Sequence, residues 1–107
     1  MLRLLMERFE RASEDYARGF GIERDQDWFI LKLQEELGEL TQAWNRYTGR
    51  GRTGDFSNEA LHKALEDETA DLLGHVLLLA HRYDLDLETA VQRKWRFQLP
   101  SSECAGE

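Results

Sequence analysis

Five carboxylates in two short clusters, Glu35-Glu36-Leu37-Gly38-Glu39 and Glu68-Thr69-Ala70-Asp71, are the residues of this chain best suited to chemistry. Within each cluster, acids stand about one helical turn apart, a spacing that places them on a common helix face. A carboxylate turned toward a core is costly unless a cation or a hydrogen-bond donor meets it, and several together call for divalent ions. Mg²⁺ fits that need: it takes oxygen ligands, keeps some of its waters, and commonly joins a few carboxylates to substrate phosphates. The pattern therefore predicts a magnesium site for phosphate chemistry, with Mn²⁺ as a substitute. In a chain with 21 Asp and Glu, either cluster alone reads more simply as a solvated helix face. Their joint presence and inward phase favour the site. Glu66 and Asp67 point off the apolar stripe and are assigned to solvent.

The elements that must hold these acids are four helices, which makes the predicted fold all-α, an oligomeric four-helix bundle. The first runs from about Leu2 to Arg18 and stops at Gly19-Phe20-Gly21, where glycine permits a helix end. The second starts near Asp25 or Asp27, either of which can cap it, and reaches about Tyr47 with Leu33, Leu37, Leu40, Trp44 and Tyr47 as its stripe. At about 100° per residue, Lys32, Glu36, Glu39 and Ala43 share one narrow face beside that stripe, with Glu35 just outside it.

Ser57 or Asn58 caps the third helix, expected to extend to about Tyr83 with Leu61, Leu65, Leu72, Val76, Leu79 and Tyr83 facing inward. Glu68 falls inside this stripe, and Asp71 and His75 sit on its edge. Val76-Leu77-Leu78-Leu79-Ala80 is apolar on all sides and is expected to form the oligomer contact. The fourth helix, about Asp86 to Gln98, begins with acids that suit its dipole and stops before Pro100. Gly38 and Gly74, inside helices at a cost of about 1 kcal/mol each, suggest close helix packing beside the carboxylates.

A length of 107 residues with one proline predicts a single helical domain over 1–100 and a disordered tail over 101–107. A domain of this size buries a modest share of its surface, so the abundance of Trp, Phe and Leu predicts a homo-oligomer, dimer or tetramer. The net charge of −7 argues against nonspecific nucleic-acid binding, which relies on Lys and Arg to release counterions. Cys104 is the lone cysteine and cannot form an internal disulfide. No apolar segment approaches the roughly 20 residues that cross a bilayer, and the N-terminus has no signal-peptide pattern. The expected location is cytoplasmic, with no membrane partner.

With these residues in view, Glu35-Glu36-x-x-Glu39 followed by Glu68-x-x-Asp71 resembles the paired signature of the MazG-like all-α nucleotide pyrophosphohydrolases. The flanking Lys32-Leu33-Gln34 and Leu72-Leu73 extend the similarity, which covers roughly residues 25 to 98. The resemblance implies a MazG-like bundle in which Glu36, Glu39, Glu68 and Asp71 bind Mg²⁺ and a nucleoside triphosphate is cleaved to monophosphate and pyrophosphate, clearing surplus or noncanonical nucleotides. It implies that Glu35 orients or deprotonates the attacking water. Lys94, within Val91-Gln92-Arg93-Lys94-Trp95, resembles a late lysine that contacts phosphate, with Gln98 where relatives often carry asparagine. Lys32 and Lys94 are therefore the expected substrate-binding lysines.

Other residues carry weaker signals. Arg46, Arg50 and Arg52 surround a glycine-rich loop that could close over a triphosphate, or simply connect two helices. Trp28 and Trp44 could stack on a nucleobase, although aromatics at helical spacing more often pack in a core. Glu59-Ala60-Leu61-His62 matches one half of a di-iron pattern whose second half is absent, so His62 and His75 are assigned structural or exposed positions. Two other activities compete with the leading one: phosphoribosyl-ATP pyrophosphohydrolase, and a nonenzymatic helical interaction module.

Overall fold

The computed structural model describes residues 1–51 and 54–100, so Arg52 and the expected tail lie outside the described residues. Four helices follow in order: α1 (Leu2–Phe20), α2 (Trp28–Tyr47), α3 (Asn58–Arg82) and α4 (Leu87–Trp95). No strand occurs among the described residues, and none of the helices is long and apolar enough to cross a membrane.

Several helix ends have a local chemical cause. Gly21 closes α1 in the left-handed conformation at φ 64°, and the Ile22 N–H returns to the Ala17 carbonyl at 2.8 Å. Of the two candidate caps for α2, Asp25 does the work: its Oδ1 accepts from the N–H groups of Asp27 and Trp28 at 3.1 and 2.9 Å, whereas the Asp27 side chain caps nothing. Ser57 caps α3 by accepting from the Ala60 N–H at 3.1 Å. Asp86 caps α4, accepting from the Thr89 N–H at 3.1 Å and hydroxyl at 2.8 Å, and these bonds hold its carboxyl below its usual range.

α4 ends at Trp95, short of the expected Gln98. Arg96 turns left-handed at φ 59°, and the Gln92 side chain accepts from the Leu99 N–H at 2.8 Å, satisfying the backbone outside the helix.

The described residues form two compact units, one of residues 1–23 with 77–100, the other within Arg24–Val76. In the first, Ala17, Leu77, Leu78 and Ala80 are buried. The all-apolar segment of α3 thus has most of its surface covered within this chain. That corrects its expected role as the oligomer contact, because a side chain already shielded from water has little apolar area left to offer a partner.

In the second unit the buried residues of α2 are Phe29, Glu36 and Ala43, while Leu37 and Trp44 are exposed. The inward line is therefore rotated from the leucine stripe onto the face that carries Glu36. Phe29, 1% exposed, belongs to this face, since a seven-residue spacing returns Glu36 and Ala43 to nearly its own direction. Leu61 of α3 is also buried. Thr69, between the two acids of α3, turns its hydroxyl to the Leu65 carbonyl at 2.7 Å.

Gly38 does not mark a close approach. A Cβ built there would meet nothing within 4 Å, so the glycine leaves only its helix penalty. Gly38→Ala should raise stability by about 0.5–1 kcal/mol in urea denaturation. A loss instead would mean that another chain packs against this face.

Candidate metal centre

The site lies wholly within the Arg24–Val76 unit, where α2 supplies Lys32, Glu35, Glu36 and Glu39, and α3 supplies Glu68, Asp71 and His75. Two sets of carboxylates each offer ligand atoms within 4.8 Å of one another: Glu35, Glu36 and Glu39, and Glu36, Glu68 and Asp71. Glu36 belongs to both. Every predicted carboxylate is thus brought together, and Glu35, expected just off the face, is drawn into the first set. Glu59 and His62 join neither; His62 is exposed, 3.5 Å from Glu66, with its ring tilted at 57° to that of Tyr47.

Burial separates the members. Glu36 is 7% exposed and Glu68 is half-buried, whereas Glu35, Glu39 and Asp71 are exposed. The Oε2 atoms of both Glu36 and Glu68 are shielded from water and have no hydrogen-bond partner. Orphaned carboxylate oxygens of this kind are costly in a folded chain, and a bound cation would satisfy them. A hard divalent ion fits this all-oxygen donor set.

The electrostatics agree. The Glu36 carboxyl is pushed up from 4.5 to about 6, first by burial and then by Glu39, with Asp71 adding to the repulsion and Lys32 opposing it. Burial, followed by repulsion from Glu39 and Asp71, also raises Glu68. Lys32 supplies the local positive charge: its Nζ lies 3.3 Å from Glu35 Oε2 and 3.9 Å from Glu36 Oε1, and 5.9 Å from the centre of the Trp28 ring.

His75 is the residue the sequence undervalued. Its Nε2 approaches Glu36 Oε1 at 3.7 Å, its ring centre lies 5.9 Å from that of Trp28, and its Nδ1 is buried without a partner. Burial and then Lys32 hold its pKa below the usual value, so this group loses stability as pH falls, opposite in sign to Glu36. The signal was spacing: His75 lies seven residues beyond Glu68 and four beyond Asp71, on the same side of α3.

Trp28 is half-buried, packed edge-on against Phe29 at 4.9 Å with the Arg24 guanidinium 5.9 Å from its ring centre. Trp44 is exposed, 6.2 Å from Tyr47. Arg46 and Arg50 are exposed, and the Arg50 and Gly51 N–H groups fold back onto the Asn45 carbonyl at 2.7 and 2.9 Å. Lys94 is exposed on α4, in the other unit.

Comparison with family models, curated proteins and solved structures returned no match.

The Glu36 shift has a definite sign. An acid whose pKa rises on folding binds its proton more tightly in the native state, so its contribution to stability falls as pH climbs from 4.5 through about 6. That shift corresponds to about 2 kcal/mol of destabilisation above the window and none below it. In EDTA, Glu36→Gln should therefore be more stable than wild type by about 2 kcal/mol at pH 7.5, with the advantage vanishing near pH 4. Chemical denaturation at the two pH values checks this.

Proposed function

We propose that this protein is a Mg²⁺-dependent nucleotide pyrophosphohydrolase of the MazG-like all-α kind, cleaving a nucleoside triphosphate to its monophosphate and pyrophosphate. The observation that carries the reading is the pair of carboxylate sets sharing Glu36, whose Oε2 is buried without a partner. Glu36, Glu39, Glu68 and Asp71 are the residues that would hold the ions. Bound there, Mg²⁺ would neutralise triphosphate oxygens and supply a water of lowered pKa.

The chain's own groups have distinct tasks in this reading. Glu35, half-exposed and paired with Lys32, is suited to orient the attacking water and accept its proton. Lys32 can exchange its carboxylate contacts for a phosphate oxygen, since an ammonium is a mobile point charge on a flexible stem. Lys94 is assigned to phosphate by its sequence context, and Arg46 and Arg50 remain available as exposed cations near a glycine-bearing loop.

Pyrophosphate release from a panel of standard, deoxy and modified nucleoside triphosphates, with Mg²⁺, Mn²⁺ or EDTA, tests the reading. Metal-dependent release should fall at least about tenfold in Glu39→Gln, because even outer partners of a metal site commonly carry 10–100-fold effects. Turnover of phosphoribosyl-ATP alone would select that substrate. No turnover of any of them would favour the interaction module.

The reading includes a homo-oligomer. Its support is the apolar surface that α2 and α3 leave open: Ile30, Leu31, Leu37, Trp44 and Leu73 are each 49–59% exposed. Such side chains in one unit of a small protein suit a partner chain. Light scattering should give a mass of at least two chains, and Leu37→Glu should lower it.

A further inference from the structure

We propose that His75 is a positioning residue for the metal centre: it holds Oε1 of Glu36 through its Nε2–H end and thereby leaves Oε2 free to bind the ion. This deepens the proposed function and rests on it.

The geometry divides the two oxygens of Glu36 sharply. Both nitrogen contacts fall on Oε1, from His75 Nε2 at 3.7 Å and from the Lys32 ammonium at 3.9 Å. Neither is a hydrogen bond at that distance, but each is an electrostatic contact that a small side-chain movement would shorten. Among the described residues Oε2 has no hydrogen-bond partner, and it is shielded from water. A carboxylate with one oxygen engaged and the other bare offers a single ligating atom at a defined position, which suits a geometrically demanding ion such as Mg²⁺.

His75 is better suited than Lys32 to define that direction. Lys32 also pairs with Glu35 at 3.3 Å and its stem is flexible, so its ammonium can leave when phosphate arrives. The His75 side chain is 19% exposed, lies near Trp28, and has only two side-chain torsions. Its buried Nδ1 pays a desolvation penalty without a hydrogen bond, which an apolar side chain at this position would avoid. Filling a core position does not explain that penalty; orienting Glu36 does. Groups that orient a metal ligand in this way commonly change affinity by 10–100-fold when removed.

The experiment compares wild type with His75→Leu, which fills space but cannot donate, and His75→Gln, which keeps an N–H donor of similar reach. Mn²⁺ binding is read by electron paramagnetic resonance on the full chain, and the metal-free melting temperature is recorded for each protein. The expected result is Mn²⁺ binding at least about tenfold weaker in His75→Leu and recovered to within about threefold in His75→Gln, with the metal-free Leu variant as stable as wild type or more so. If wild type binds Mn²⁺ and His75→Leu binds it equally well, the positioning role is overturned and the metal reading stands. Equal weakening in both variants also overturns it. If wild type binds no Mn²⁺, the metal reading of the site itself fails.

Discussion

The burial of Glu36 is the constraint around which the Arg24–Val76 unit is organised. A carboxylate that is 7% exposed, with one oxygen unpartnered, needs positive charge close by. The chain meets the need only in part: the Lys32 ammonium stands 3.9 Å from Oε1, and His75, whose burial disfavours its charged form, brings its Nε2 to 3.7 Å. Glu39 and Asp71 increase the repulsion, and the proton affinity of Glu36 rises in response. A sequence selected for stability alone would replace such a residue by leucine or glutamine. The tension stored here is the physical content of the proposed metal centre, because a divalent ion would turn repulsion among acids into shared ligation.

Packing of α2 keeps the carboxylate in that position. Phe29, almost wholly buried at the start of the helix, shares a face with Glu36 two turns later, so the two turn inward together. The same rotation carries Leu37 and Trp44 outward. Acid burial and apolar exposure are therefore two consequences of one helix phase. It also joins the proposed metal binding to the proposed self-association, since turning Glu36 inward leaves Leu37 and Trp44, about 100° and 80° around the helix, exposed.

Local chemistry was legible in the sequence wherever a short-range rule governs it. The four helices, the glycine end of α1, the caps at Asp25, Ser57 and Asp86, and the placing of Glu36 with Glu39 and of Glu68 with Asp71 on common helix faces follow from spacing and from cap residues. The misjudged features depend on what stands opposite a residue. Val76-Leu77-Leu78-Leu79-Ala80 is equally apolar whether it meets its own chain or another, and a pattern cannot distinguish the two. Gly38 carries the same propensity cost whether a neighbour or open space lies beyond its Cα. α4 ends early because the Gln92 side chain captures the Leu99 N–H, a choice among competing hydrogen bonds.

The sequence by itself determined the fold class and the supply of clustered carboxylate oxygens, because helix periodicity and the chemistry of carboxylates are properties of a few adjacent residues. Tertiary structure decided which acid is buried, which oxygen is left without a partner, and that His75 faces Glu36 rather than solvent. Those outcomes depend on the rotation of α2 and its packing against α3, and rotation is set by the sum of all packed side chains. A shift of one residue's angle, about 100°, would have exchanged Glu36 for Leu37 at the core.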